Sequence, residues 1–166
     1  MIPRHLYSAL SKAAARFPVV TLTGPRQSGK TTLARATFKK HGYVSLELPE
    51  ARAFAQEDPR GFLNQLGGPT VLDEVQRAPE LFSYIQVLCD ERRRPGEFIL
   101  TGSHNFLLMR GISQSLAGRA AVFHLLPFSL AELERRRPFP LEKLGVTTPR
   151  YPAPATGLME TMFRGF

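Results

Sequence analysis

Val19-Val20-Thr21-Leu22-Thr23-Gly24-Pro25-Arg26-Gln27-Ser28-Gly29-Lys30-Thr31-Thr32 decides the fold. The first five residues form a short apolar run of strand length that stops at a glycine. Leu33, Ala34, Thr37 and Phe38 then recur at helical spacing, so a helix runs from about Lys30 to near Gly42. Between strand and helix stands Gly-x-x-x-x-Gly-Lys-Thr, the pattern of a phosphate-binding loop in its required setting. Glycines let backbone N–H groups turn inward around phosphate oxygens, and the helix N-terminus adds partial positive charge. Gly24, Pro25, Arg26, Gln27, Ser28, Gly29, Lys30, Thr31 and Thr32 are therefore the expected nucleotide-binding residues. Lys30 would carry an ammonium to the β- and γ-phosphates, and Thr31 would offer a hydroxyl to Mg²⁺.

Outward from this unit, strand-length runs alternate with helix-period segments, as in a parallel sheet built from βα units. Residues 1–16 read as an opening helix with Leu6, Leu10 and Ala14 on one face. Val44, Leu46 and Leu48 alternate as a second strand. Asp58-Pro59 starts a helix, Asp as N-cap and Pro in the first position. Thr70-Val71-Leu72 is a third strand, Leu81 to Cys89 a helix face, Phe98-Ile99-Leu100 a fourth strand and Val122 to Leu126 a fifth. Ser129 and Glu132 fit a capping box opening a last short helix. From Pro138 to Pro154 the chain is proline-rich without a period and reads as a linker.

The third strand ends in Asp73-Glu74, where a parallel sheet presents side chains to a ligand crevice. Asp73 is placed to hold magnesium and Glu74 to polarise an attacking water; alone, the pair would also suit a solvated strand end. The fourth strand ends in Thr101-Gly102-Ser103-His104-Asn105. Ser103 is the first candidate to sense the γ-phosphate or steady the water, Asn105 the second, with a plain helix N-cap as the alternative for either. Arg119, closing Ser115-Leu116-Ala117-Gly118-Arg119, suits an arginine finger and equally a charge at a helix C-terminus.

Composition narrows the classes. At 166 residues, with 43% hydrophobic and 22% charged residues, the chain has the makeup of one globular domain. Its single cysteine, Cys89, excludes an internal disulfide framework. Cys89 falls on an apolar helix face and reads as core. No run of about 18 apolar residues marks a membrane span, and the chain reads as cytoplasmic. The net charge of +8 is localised. Arg4, Lys12, Arg16, Arg26, Lys30, Arg35, Lys39 and Lys40 precede the first acid, Glu47, leaving 14 basic residues to match the 14 acidic ones. Such a one-signed quarter favours an anionic partner, nucleotide or DNA.

Val19 to Thr32, Leu72-Asp73-Glu74-Val75-Gln76-Arg77-Ala78-Pro79, Leu100-Thr101-Gly102-Ser103, Ser115 to Arg119 and Leu126-Pro127-Phe128-Ser129 together resemble the ATPase domain of prokaryotic AAA-type ATP-binding proteins, a branch of the AAA+ superfamily. The resemblance covers roughly residues 1–135. It implies a three-layer αβα sandwich with a mainly parallel five-stranded sheet of the additional-strand type. By that likeness Lys30 and Thr31 belong to the Walker A site, Asp73 and Glu74 to Walker B and Ser103 to sensor 1. Arg119 gains weight as a finger acting from a neighbouring subunit. The expected domain is 1–137, with 138–166 a linker or the start of a further domain, since relatives of this kind continue into one; a truncated chain is expected. Mg²⁺-dependent ATP hydrolysis driving a conformational switch in an oligomer or a larger chain is the leading reading. A nucleotide-gated DNA-binding module and a small-molecule kinase are the alternatives. The missing Asn-Lys-x-Asp motif speaks against a GTPase.

Overall fold

Strands β1 (Val19–Gly24), β2 (Gly42–Ser45), β3 (Thr70–Asp73), β4 (Phe98–Ser103) and β5 (Ala120–His124) lie side by side in the order β2-β3-β4-β1-β5 in the computed structural model, which describes residues 2–103 and 106–137. Every pairing is parallel. β4 is inserted between the loop-bearing β1 and the carboxylate-bearing β3, which is the additional-strand arrangement. The helices are α1 (Leu6–Ala14), α2 (Lys30–Thr37), α3 (Pro49–Glu57), α4 (Pro59–Asn64), α5 (Leu81–Arg92), α6 (Phe106–Ser115) and α7 (Leu130–Leu133).

Alternation along the strands sorts the core into two layers. Val19, Leu72, Phe98 and Leu100 pack against α3–α6 through Ala55, Phe62, Leu81, Phe82, Ile85 and Ile112. Val20, Leu22, Val71 and Ile99 face the other way, onto Leu10, Ala13, Leu33, Ala34 and Phe38 of the α1–α2 side. Both faces of the sheet are covered, so its central strands read as continuous apolar runs. Each fully buried Leu, Ile or Phe contributes about 1.5–3 kcal/mol relative to exposure. The α/β three-layer expectation holds, with the sheet wholly parallel.

Several boundaries differ from the sequence reading. β2 ends at Ser45; Leu46 turns into the core and Leu48 caps α3 instead of continuing the strand. α3 carries no polar start signal in the sequence, because its N-cap is an apolar Leu with no side-chain cap bond. α2 stops at Thr37, where Phe38 leaves helical geometry and buries its ring. β5 spans Ala120–His124 rather than Val122 to Leu126. Asp58 does cap α4, accepting from the Gly61 N–H at 2.8 Å, and the Ser129–Glu132 capping box opens α7. Cys89 is buried, and desolvation pushes its thiol up to about 12. No helix among the described residues is long and apolar enough to cross a membrane. The linker reading over 138–166 lies outside the described residues.

Candidate functional site

The C-terminal ends of β1, β3 and β4 converge on one cleft. Gly24 ends β1 with a φ of +151°, and a Cβ there would run into the Leu125 carbonyl that follows β5. Gly29 sits at φ +85° as N-cap of α2, a left-handed turn that glycine adopts freely. Between them the chain wraps around the Pro25 carbonyl, which accepts from Ser28 Oγ at 3.0 Å and Lys30 Nζ at 2.7 Å. Arg26, Gln27, Gly29, Lys30, Thr31 and Thr32 line an open cleft of about 430 Å³ together with Glu47 and Glu74.

Lys30 is largely buried. Desolvation lowers its pKa, partly offset by the negative charges of Glu74 and Asp73, while Arg26 adds repulsion. An ammonium held partly dry, with Arg26 nearby, gains from an anion arriving in the cleft.

Asp73 is the best-supported side chain of the site. Thr31 Oγ1 lies 3.0 Å from both of its oxygens, Tyr43 Oη donates at 2.9 Å, and Thr101 Oγ1 donates to Oδ1. Strand parity brings these groups together. Asp73 shares the α2-facing side of β3 with Val71. Tyr43 stands opposite Val71 in register, and Thr101 has the parity of Ile99 on the same side. The edge ring of Tyr43 is backed by the Arg35 guanidinium, 4.8 Å from its centroid.

Glu74 would face the opposite layer if β3 simply continued. Instead its backbone takes φ +56°, ψ +43°, in the left-handed region, and a 3₁₀ turn over Val75–Arg77 follows. Glu74 thereby lines the cleft beside Lys30, on which both it and Asp73 act, and Gln76 Nε2 donates to its Oε2. A non-glycine residue in that region costs on the order of 1 kcal/mol or more and recurs at functional sites.

Ser103 ends β4 opposite Gly24 in the register, so it stands at the root of the loop. Asn105 lies outside the described residues. Arg119 precedes β5 at the other end of the sheet, its backbone carbonyl accepting from Val19 N–H at the start of β1. It is therefore not part of its own chain's cleft. Its guanidinium pairs in a fork with Asp90 of α5, at 2.6 and 2.8 Å.

Sequence reasoning missed Tyr43 and Thr101 around Asp73, and Glu47 and Gln76 around Glu74. It also missed a buried ion pair beneath the loop. Arg4 Nε meets Glu132 Oε1 at 3.1 Å, both side chains under a tenth exposed. Burial would raise the Glu132 pKa, but the backbone N–H groups of Ser129 and His5 and the Arg4 charge outweigh it and hold it below 4.5. A carboxylate depressed on folding adds stability above its unfolded pKa and loses it as pH falls through the folded one. The thermal midpoint of the parent should therefore fall more steeply below pH 4.5 than that of Glu132→Gln. Parallel curves for the two proteins would show that this pair carries no such linkage.

Of the eight basic residues that precede Glu47, Arg4 is buried in that ion pair, Lys30 in the loop, Arg26 lines the cleft and Arg35 lies over Tyr43. Lys12, Arg16, Lys39 and Lys40 are exposed, as are Arg26 and Arg35.

Strand, glycine loop, helix and an acid-tipped neighbouring strand, with one strand inserted between, define a P-loop nucleoside-triphosphatase of AAA type. The chain belongs to the AAA domain family AAA_14, whose family model matches residues 16–134. Membership carries nucleotide binding and hydrolysis as the family's general chemistry. Two curated relatives, the uncharacterized proteins Rv2008c of Mycobacterium tuberculosis and Mb2031c of Mycobacterium bovis, are each 39% identical over 123 residues. The match takes in 74% of this chain and 28% of theirs, so the chain spans under a third of the relatives' length. Among solved structures it is similar to the Walker-type ATPase PABY2304 of Pyrococcus abyssi (TM-score 0.55, 20% identity, 90% of this chain and 60% of that one). The P-loop NTPase domain of the sigma-54 transport activator from E. coli is also similar (0.51, 18%, 76% and 93%). At these identities the likeness concerns the fold.

Proposed function

We propose that the cleft binds ATP with Mg²⁺ and hydrolyses it, and that turnover drives a conformational switch in an assembly or a longer chain. The observation carrying this reading is the approach of Thr31 Oγ1 to both Asp73 oxygens at 3.0 Å, beside the Lys30 ammonium. A hydroxyl next to a carboxylate is a hard-oxygen donor set that fits magnesium. Thr31 and Asp73 would hold the ion, which would supply positive charge to offset that of the terminal phosphates.

The chain's own groups account for the remaining steps. Backbone N–H groups of the loop and the α2 N-terminus cradle the phosphates. Lys30 Nζ moves from the Pro25 carbonyl to the β- and γ-phosphate oxygens. Glu74, steered by Gln76, takes the proton of the attacking water on a carboxylate oxygen. Ser103, at the loop root, is suited to sensing the γ-phosphate. Arg119 serves a neighbouring subunit's cleft, since its position at the far end of the sheet favours action in trans. A carboxylate directly after Asp73 favours water over a small-molecule acceptor, and so hydrolysis over kinase chemistry. The DNA-binding alternative draws less support, because Arg4, Arg26 and Lys30 of the basic quarter are taken up by the ion pair, the cleft and the loop.

Lys30→Ala tests the binding step. It should weaken ATP much more than AMP, because the lost charge faces the terminal phosphates. Equal ATP affinity in mutant and parent, by calorimetric titration, would contradict the assignment.

A further inference from the structure

We propose that Arg4 is a positioning residue for the nucleotide's β-phosphate, acting through the Ser28–Gly29 peptide. The inference rests on the phosphate-loop reading above. Arg4 lies before α1, far from the loop in sequence, yet its guanidinium is spent entirely on three other segments. Nε pairs with Glu132 of α7, Nη1 donates to the Ser28 carbonyl at 3.0 Å, and Nη2 donates to the Leu126 carbonyl. The guanidinium carbon also sits 4.3 Å from the Phe128 ring centroid. A buried cation held by a carboxylate, two carbonyls and a ring face has one available orientation.

The consequence for the loop follows from peptide geometry. In a planar trans peptide the C=O and the next N–H point in opposite directions. Arg4 pins the Ser28 carbonyl away from the cleft, so the Gly29 N–H is turned toward it. Gly29 lines the cleft beside Lys30 and Thr31. Lacking a Cβ, Gly29 holds its φ of +85° without strain but also leaves this peptide freer to rotate than a side-chain-bearing residue would, so the orientation needs an external hold. Glu132 supplies the other end. Its Oε1 accepts from Arg4 Nε and the His5 N–H, and its Oε2 from the Ser129 N–H and hydroxyl. The clasp thereby joins α7 to the phosphate loop.

Calorimetric affinities for Mg-ATP and AMP in the parent, Arg4→Ala, Glu132→Gln and Lys30→Ala proteins test this. Arg4→Ala should lose ATP affinity by about tenfold or more, the scale of a hydrogen bond to a charged group. AMP affinity should change far less, and millimolar guanidinium ion should restore part of the ATP affinity. Glu132→Gln keeps the capping box, since glutamine serves there, and should lose ATP affinity severalfold; it decides the matter if Arg4→Ala does not fold. Parent-like ATP affinity in folded Arg4→Ala, or equal losses for ATP and AMP without rescue, would overturn the proposal. If Lys30→Ala loses ATP while the Arg4 and Glu132 variants do not, only this inference fails. If Lys30→Ala also binds ATP normally, the loop reading fails with it.

Discussion

Glu74→Gln is expected to bind Mg-ATP like the parent and to release phosphate on the order of 10²–10⁴-fold more slowly, the range of a general base. The amide keeps the side chain's shape and its contact with Gln76 but cannot take a proton. The left-handed backbone at Glu74 makes the experiment informative. Strain at this residue aims the carboxylate into the cleft, and glutamine inherits the aim without the basicity. Single-turnover phosphate release beside equilibrium nucleotide binding separates the two effects. A Glu74→Gln protein hydrolysing at the parent rate would remove this residue from the chemistry, and Glu47, across the same cleft, would become the next carboxylate to replace.

Arg119→Ala should bind ATP normally and lose roughly 10³-fold in turnover, the lower range for an arginine finger. Its place at the N-terminal end of β5, beside Asp90, means that the loss has to come from a neighbouring cleft. Mixing Glu74→Gln with Arg119→Ala protein tests this. The Arg119→Ala subunit keeps a working Glu74, and its neighbour lends the arginine, so mixed assemblies should exceed the summed activity of the parts. No gain, in a preparation shown to form mixed assemblies, would leave Arg119 a surface partner of Asp90. Exposed ion pairs of that kind contribute little to stability, so the thermal midpoint of Arg119→Ala should stay close to that of the parent.

How much of this was legible in the sequence depends on whether the information was local. Lys30, Thr31 and Asp73 could be read because a loop and a strand end declare themselves within a few residues. Tyr43 and Thr101 could not, although both follow from parity once Ser45 is known to lie opposite Asp73 and Leu72 opposite Leu100. Alternation is visible in sequence; register is not. The same limit misplaced β2, where Val44, Leu46 and Leu48 alternate like a strand but only Gly42–Ser45 pairs with β3. The Arg4–Glu132 pair left no trace at all. Glu132 was already explained by its capping box, and its second partner lies 128 positions away. Arg119 was found as a residue type in a distinctive stretch, while its distance from the cleft emerged only from the topology.

The central claim is hydrolysis at this cleft, and phosphate release from ATP in the absence of any acceptor tests it most directly. Measured with and without Mg²⁺, on the parent and on Glu74→Gln, the account predicts Mg²⁺-dependent formation of ADP and phosphate by the parent and near loss of both in the variant. Phosphate release that ignores both Mg²⁺ and Glu74, or ADP formed only when an acceptor molecule is added, would contradict it.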